Sequence, residues 1–423
     1  MPRPRDARIC PYCGKEVRLS RAPIVATDFT VESQPAGLTH TPGIELYDDP
    51  AAAAGDEEID ADDPGADLDA EHIGRETQPG QKRPTSVVGG HRALWWPPDE
   101  GEDASSWISR ILGGDGSDLE SLAAFPVERL ARRVCPSCET AWPPDLDTRQ
   151  AHILAVVGLN GAGKTNYLAA ALTQATRSQG LEPFGVTEFA AADDETAKRL
   201  HHYTTSLYRH GKVLDRTLPD AETARIPLTF RVAVRGREPI LMMTHDISGE
   251  ILMDYKQRAR VTPFLSRASA VIFLVDPVEF DVIRDRLPIE ALIEDGRYIH
   301  QADLLRSCLE QLRYHHDGRP VPVAVTVSKA DLIVDLVEGI TLADGPPYAA
   351  DWISGVKDTN DAVHDMLIKL NERDLVCAAD AHEQVTYHAV SALGAMPSAM
   401  EQPRPLRCLE PLATVLVRLA GAI

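Results

Sequence analysis

One octapeptide limits the possible folds of this chain more than any other feature. Residues 158–165 read Gly-Leu-Asn-Gly-Ala-Gly-Lys-Thr. They follow an apolar run at 153–157 and lead into residues 164–177, which have the composition of a helix. The pattern GxxxxGK[ST] between a buried strand and a helix is typical of a phosphate-binding loop, or P-loop. A chance glycine-rich turn would require neither flanking element, so the sequence predicts an α/β fold with a phosphate site.

Residues within this loop have separate expected roles. Glycines allow backbone N–H groups to curl around phosphate oxygens, and the following helix points its positive end toward them. Lys164 is expected to reach the β and γ phosphates, and the Thr165 hydroxyl to bind Mg²⁺. The candidate nucleotide-binding positions here are Gly158, Asn160, Gly161, Ala162, Gly163, Lys164, Thr165 and Asn166.

Beyond the loop, apolar runs of strand length alternate with helical patterns. This alternation predicts a mostly parallel sheet with helices on both faces. The predicted strands are 153–157, 226–234, 239–244, 270–275, 321–327 and 384–389, and the predicted helices are 164–177, 193–210, 301–315, 360–378 and 409–420.

A short acidic motif follows the strand predicted at 239–244. Asp246-Ile-Ser-Gly249 fits DxxG, in which the aspartate holds Mg²⁺ through water and the glycine N–H senses the γ-phosphate. The motif is weak alone, because a chain of this length can contain one by chance. His245 is expected to be structural, since its side chain should leave the opposite face of the sheet from Asp246.

Two motifs after later strands point to the base of a nucleotide. Ser328-Lys329-Ala-Asp331 resembles [NT]KxD: Asp331 would accept hydrogen bonds from guanine N1–H and its exocyclic amine, while the Lys329 stem lies along the ring. Ser391-Ala392 would bring a backbone N–H to the guanine oxygen. Alone, Asp331 could cap a helix and Lys329 could be a solvated loop residue. Four motifs in order at the carboxyl ends of predicted strands favour guanine nucleotide binding.

Residues 152–423 resemble the G domain of TRAFAC-class GTPases through GLNGAGKT, DISGE, SKAD and VSAL. Together with RRVCPSC, the sequence is similar to the bacterial double-GTPase family, which carries an N-terminal zinc ribbon. The resemblance implies GTP or GDP and Mg²⁺ as ligands, and partner proteins, among them another NTPase, in a signalling or conflict system. Thr165 and Asp246 are the implied magnesium ligands.

The chain departs from this family pattern at two places. Ser328 replaces Asn or Thr, and its hydroxyl is expected to bond to the P-loop. Glu250 stands where many GTPases carry the glutamine that orients water, which leaves unaided hydrolysis open. The switch I threonine is expected to be Thr217, with Thr223 as the alternative. The expected catalytic set is Lys164, Thr165, Thr217, Asp246, Gly249 and Glu250.

Two cysteine pairs near the N-terminus predict a structural zinc site. Cys10 and Cys13, like Cys135 and Cys138, have the form CPxC, which turns backbone N–H groups toward thiolates. The 121 residues between the pairs weaken the pattern, although a long insertion adds little closure entropy per residue. A redox dithiol or unrelated thiols are the alternatives. The other three cysteines, Cys308, Cys377 and Cys408, are expected in the core.

Charge and composition divide the chain into four parts. The net charge is −21, and residues 45–71 hold 12 carboxylates and no Lys or Arg. We therefore expect half of a zinc ribbon at 1–19, a largely disordered acidic linker at 20–85, a tryptophan-containing segment with the second half of the ribbon at 86–149, and the GTPase domain at 150–423. The acidity argues against nucleic acid as a partner. Trp95-Trp96 either pack within this part or dock a partner.

The sequence thus predicts a Mg²⁺-dependent GTP-binding switch. A cytoplasmic location is expected, because no apolar run has the length of a membrane span and no secretory signal is recognised. Two other functions stay open. An ATP-dependent P-loop NTPase would need SKAD to be fortuitous and a Walker B acid, which Asp276 could supply. An adaptor would recruit partners through its ribbon and tryptophans and use the nucleotide structurally.

Overall fold

The computed structural model describes most of the chain after residue 148 and short parts before it. The described residues are 7–19, 22, 24–26, 46–48, 87–88, 91–95, 131–133, 135–138, 142–143, 145–146, 149–177, 179–211, 213–214, 227–248, 264–284, 300–316, 320–334, 352–395 and 402–419. The chain divides into two compact units. One contains Met1–Cys10 and Glu16–Trp142, and the other contains Pro11–Lys15 and Pro143–Ile423.

The first unit contains short antiparallel strands. Its strands are β1 (Ala7–Ile9), β2 (Glu16–Arg18), β3 (Ile24–Ala26), β4 (Leu46–Asp48), β5 (Val87–Val88), β6 (His91–Trp95) and β7 (Ala131–Arg133). Strands β1 and β2 form a hairpin, and a second sheet has the order β4-β6-β3-β7 with β5 paired to β6. The structure therefore places short strands β3 and β4 inside the segment that the sequence predicts to be disordered.

A seven-stranded sheet forms the centre of the second unit. Its strands are β8 (Gln150–Gly158), β9 (Val186–Ala191), β10 (Leu228–Val234), β11 (Ile240–Ser248), β12 (Ala268–Val275), β13 (Val323–Val327) and β14 (Val385–Ala389). Their order is β14-β13-β12-β8-β11-β10-β9, and all neighbours are parallel except at β10, which runs antiparallel to both β11 and β9. The mostly parallel α/β sheet predicted from the alternating pattern is confirmed.

Seven α-helices accompany this sheet among the residues that the structure describes. They are α1 (Lys164–Arg177), α2 (Asp194–Thr204), α3 (Asp281–Arg284), α4 (Gln301–His315), α5 (Trp352–Lys369), α6 (Arg373–Asp380) and α7 (Leu409–Leu419). Helix α2 continues into a π-helical turn at Thr205–Arg209, and 3₁₀ turns occupy Gln179–Phe184, Pro277–Glu279 and Ala330–Leu332. No helix among the described residues combines the length and apolar character needed to cross a bilayer.

Packing follows the hydrophobic patterns of these elements. Residues of α1 and α7, including Leu168, Leu172 and Leu416, share one buried cluster with Leu154 of β8 and Leu274 of β12. Helix α6 packs against both α4 and α5, while α4 also contacts β12 and α5 contacts β14. The central strands β8, β12 and β13 are buried almost throughout, which explains their uninterrupted apolar runs.

Several predicted boundaries differ from the structure. The helix predicted at 360–378 is two helices, α5 and α6, because the chain turns at Asn371, where φ is 67°. Edge strand β9 was not predicted from the sequence. The extra helix predicted from 193 begins one residue later, because Asp193 is its N-cap and accepts a hydrogen bond from Thr196 N at 2.7 Å.

Candidate nucleotide-binding site and cysteine cluster

The P-loop lies at the carboxyl end of the central strand. Strand β8 ends at Gly158 and α1 begins at Lys164, as the motif predicts. Gly161 and Gly163 have φ of 86° and 77°, a conformation that other residues rarely adopt. A Cβ built on Gly163 would meet no atom within 4 Å, so the backbone there faces open space. This loop has the conformation and the room that phosphate oxygens require.

Lys164 lies folded over the loop that it belongs to. Its Nζ donates to Gly158 O at 3.0 Å and to Leu159 O at 2.9 Å. These acceptors are carbonyls of the loop itself, so the ammonium group lies over the loop that the motif assigns to phosphate. A carbonyl carries only partial charge, and a phosphate oxygen would be the stronger acceptor.

Strand β11 brings the DxxG segment beside the P-loop. The strand does not end at Thr244 as predicted but continues to Ser248, which lies opposite Gly158. Asp246 therefore lies within the strand, opposite Val156, which is two residues before the first residue of the P-loop. The other predicted switch residues, Gly249, Glu250, Thr217 and Thr223, lie outside the described residues.

His245 is buried beside this segment and packs its ring on Phe264, with ring centroids 4.2 Å apart. Burial, reinforced by the positive charge of Arg199, lowers the pKa of His245 to about 3, while a hydrogen bond to the Pro11 backbone acts in the opposite direction. An imidazole with this pKa is a weak base at neutral pH. The burial and ring packing of His245 favour the structural role expected for it.

The loops after β13 and β14 bring together Asp331 and Ser391, two of the residues predicted to contact the base. Ser391 Oγ donates to Asp331 Oδ1 at 2.5 Å and accepts from Gly394 N at 2.8 Å. Ala330 N donates to Val390 O at 3.0 Å. Ala392 is half-buried against the core cluster. The structure thus brings Asp331 and Ser391 into direct contact, although 60 residues separate them.

Ser328 and Lys329 bond to the end of β12. The Ser328 hydroxyl donates to Val275 O at 3.0 Å, so in this structure it bonds to the neighbouring strand and not to the P-loop as expected. Lys329 has a left-handed backbone, with φ of 48°, and its Nζ contacts Asp276 Oδ2 at 2.6 Å. From the sequence, Asp276 is a candidate Walker B acid only. Its contacts instead connect Asp276 to the loop after β13, which carries Lys329 and Asp331.

Asn166 has a contact that sequence reasoning did not anticipate. Its Oδ1 accepts a hydrogen bond from Leu214 N at 3.1 Å. Leu214 also packs against the core cluster. The segment that leads toward Thr217 is therefore attached beside Thr165, at the first turn of α1.

Both cysteine knuckles converge. One ligand atom each of Cys10, Cys13, Cys135 and Cys138 lies within 4.8 Å of the others, and the Sγ atoms of Cys10 and Cys138 are 3.7 Å apart. Tetrahedral zinc with bonds of ~2.3 Å places sulfurs ~3.8 Å apart. Ser137 N donates to Cys135 Sγ at 3.4 Å, as expected of a knuckle. The four thiols therefore fit a zinc ion.

The remaining cysteines divide by exposure. Cys308 and Cys408 are buried as predicted, and burial raises the pKa of the Cys308 thiol to about 12. Cys377 is exposed, which corrects its expected place in the core. Its neighbours Val376 and Ala378 are buried, so Cys377 occupies the outer face of an amphipathic helix.

Comparison with known families decides where this architecture belongs. The sequence model of the family described as Double-GTPase 2 matches residues 152–374, which is more than half of the chain. This chain belongs to the Double-GTPase 2 family. The resemblance to double-GTPases drawn from the motifs is thereby confirmed. Membership also supports, at the level of the family, a GTP-binding protein of the nucleotide hydrolase class.

One curated relative of this Double-GTPase 2 member is the putative ESX-1 scaffolding and assembly protein SaeC of Mycolicibacterium smegmatis. The two sequences are 26% identical over 324 residues, which cover 70% of this chain and 82% of the relative.

Solved structures show more distant similarity. A crystal structure of sup35 complexed with GDP is 13% identical with a TM-score of 0.24, and the match covers 58% of this chain and 38% of sup35. A mutation variant of SsGBP is 13% identical with a TM-score of 0.27, over 74% of this chain and 68% of that one. The chain thus spans well under half of sup35.

Proposed function

We propose that this chain is a Mg²⁺-dependent guanine-nucleotide switch that hydrolyses GTP and acts with protein partners. The observation that carries the proposal is the contact between Ser391 and Asp331, which fixes a carboxylate at the sheet edge that also holds the P-loop. Strand β13 is two strands from β8, or ~10 Å at the usual strand spacing. One nucleotide could therefore place its phosphates on the P-loop and its purine at Asp331.

A carboxylate at this position selects guanine over adenine. Asp331 offers only acceptors, which match the N1–H and exocyclic amine of guanine. Adenine presents an unprotonated N1 on the corresponding edge, so the carboxylate would face a lone pair. Because Ser391 holds Asp331, the carboxylate cannot turn away from adenine. Adenine nucleotides would therefore bind more weakly than guanine nucleotides.

Magnesium would be held by Thr165, Asp246 and Thr217. The ion would neutralise charge on the phosphates when bound. Thr217 is three residues after Leu214, which bonds to Asn166, so it lies within ~10 Å of Leu214 along the chain. Thr223 is nine residues from that attachment. The Asn166 contact therefore supports Thr217 as the switch I residue.

The contacts of Asp276 weigh against the ATP-dependent alternative. A Walker B acid must be available to the metal, but Asp276 is 4% exposed and its two carboxylate oxygens accept from Lys329 Nζ and Val278 N. The acid that an ATPase interpretation requires is thus already bonded to Lys329 in the loop after β13.

A scaffolding role is the second candidate, and the SaeC relative is the observation that favours it. We propose that the two roles combine, with GTP controlling whether partners assemble on this chain. The cysteine cluster, as a structural zinc site, would stabilise the N-terminal part. In this proposal the chain has four parts: half of the zinc ribbon at 1–19, the acidic linker at 20–85, the second half of the ribbon within 86–149, and the GTPase domain at 150–423.

Single-turnover hydrolysis tests the enzymatic part. Protein in excess over GTP labelled at the γ-phosphate should release phosphate at a rate of ~10⁻⁴ to 10⁻² s⁻¹, as for GTPases without an activating protein. Lys164→Met is the matched control and should abolish release. If GTP binds but phosphate release does not exceed that of Lys164→Met, with and without partner proteins, the hydrolase assignment is wrong.

A further inference from the structure

Asp276 uses all of its polar atoms to connect three elements. Its Oδ1 accepts from Val278 N at 3.1 Å and caps the 3₁₀ turn after β12, while its Oδ2 contacts Lys329 Nζ at 2.6 Å. The side chain of Asp276 is 5% exposed and that of Lys329 is 28% exposed. This ion pair is therefore much less screened by solvent than a surface pair.

Gln301 fixes Asp276 from the start of α4. Asp276 N donates to Gln301 Oε1 at 2.6 Å, and Gln301 Nε2 donates to Asp276 O at 3.0 Å. The amide of the side chain thus pairs with both backbone groups of one residue, as a neighbouring strand would. Gln301 is itself buried, at 7% exposed.

Lys329 is the residue that needs such support. Its left-handed backbone conformation is unfavourable for an L-residue, so surrounding contacts must hold it there. The chain leaves Lys329 directly into the 3₁₀ turn Ala330–Leu332, which carries Asp331. Anchoring Lys329 therefore holds its stem where it is expected to lie along the base, while Asp331 is held separately by Ser391.

We infer that Asp276, fixed by Gln301, is a positioning residue for Lys329 and thereby for guanine affinity. The inference rests on the proposed function, since it concerns the same base site. Asp276 acts through Lys329 and has no contact with the base of its own. Its removal should weaken all purine nucleotides read by Asp331 by the same factor, because the Lys329 stem lies along the ring plane and does not read the exocyclic amine.

A double-mutant cycle tests this inference by equilibrium binding of fluorescent GDP. Asp276→Asn keeps the cap acceptor but removes the charge, and should raise the dissociation constants of GDP and inosine diphosphate equally, by about tenfold. Lys329→Met should weaken GDP by a similar factor. The double variant should bind no more weakly than Lys329→Met alone.

Two further variants keep the test decisive. Gln301→Met has a similar volume, and should weaken GDP about threefold in the wild-type background and not at all beside Lys329→Met. It replaces Asp276→Asn should that variant fail to fold. Asp303→Asn is the matched control, because Asp303 pairs with Arg306 over the same 2.6 Å but is half exposed. Its GDP affinity should equal that of the wild type.

The outcomes separate the two proposals. Additive losses in the double variant, or wild-type affinity in Asp276→Asn, would overturn the positioning role while guanine binding stands. A wild-type protein that binds GDP no better than ADP would instead remove the proposed function and this inference with it.

Discussion

Ser391 donates its hydroxyl to Asp331 Oδ1 at 2.5 Å and thereby connects the loops after two neighbouring parallel strands. The same hydroxyl accepts from Gly394 N, so its orientation is fixed from both sides. The carboxylate therefore presents its other oxygen in a defined direction. If Asp331 reads a base as proposed, a carboxylate held in this way would lose less conformational entropy on binding.

Exchanging the acceptor for a donor at Asp331 should change the preferred base. Asp331→Asn offers an amide N–H to the 2-oxygen of xanthine and loses the acceptor for the guanine amine. We expect GDP to bind ~100-fold more weakly and xanthosine diphosphate to bind more tightly than to the wild type. Displacement of fluorescent nucleotide measures both. Unchanged preference would show that Asp331 does not read the base.

Replacing two P-loop glycines by alanine should lower the free energy of unfolding by different amounts. A Cβ on Gly158 would lie 2.8 Å from Leu274 O, which is backbone of the adjacent strand, whereas Gly163 has open space. Gly158→Ala should therefore destabilise the protein by ~1–3 kcal/mol. Gly163→Ala should cost only the ~1 kcal/mol of a left-handed alanine. Urea unfolding without nucleotide measures both, and the reverse ranking would contradict this packing.

The cysteine cluster should bind one zinc ion per chain. Elemental analysis of the purified protein measures the content, and Cys135→Ser should reduce it to a trace because a buried member of the set is lost. Cys377→Ser, which changes an exposed cysteine elsewhere, should keep the full amount. Full loading of Cys135→Ser, or no zinc in the wild type, would contradict the site.

Glu372 should make the protein less stable as the pH rises. Burial, followed by the negative charges of Asp281 and Asp374, raises the pKa of Glu372 to about 7. Its unfolded pKa is ~4.3, so the folded state binds more protons between these values and stability falls with rising pH across that window.

Replacing that carboxyl tests this dependence. Glu372→Gln should be more stable than the wild type at pH 8, by an amount on the order of 1 kcal/mol because solvent screens the partly exposed group. At pH 4 the two proteins should be equally stable. Glu383→Gln changes an exposed glutamate and serves as the control. If Glu372→Gln were more stable than the wild type by the same amount at both pH values, its effect would not depend on ionisation of Glu372.

Local patterns predicted much of the fold. The P-loop strand, α1 and α4 were identified from short-range signals, because buried strands need continuous apolar runs and an amphipathic helix repeats its apolar side chains. Edge strand β9 was missed, since its sequence VTEFAA mixes polar and small residues and only pairing with β10 makes it a strand. The break at Asn371 has no proline or glycine to mark it.

Contacts distant in sequence were the part of the site that could not be predicted. The order of the motifs indicated that Asp331 and Ser391 share an edge of the sheet, and the structure adds their hydrogen bond. Nothing in the sequence connects Asp276 with Lys329, because ion pairing across 53 residues depends on side-chain directions that the backbone sets. Asp276 was consequently assigned to a different chemistry.

Competition between GTP and ATP tests guanine recognition at Asp331 most directly. Nucleotide-free protein is loaded with fluorescent GDP, and each triphosphate is titrated in with excess Mg²⁺. The carboxylate fixed by Ser391 predicts that ATP displaces the probe at least ~100-fold less effectively than GTP. Equal displacement by ATP and GTP would contradict guanine recognition at this site.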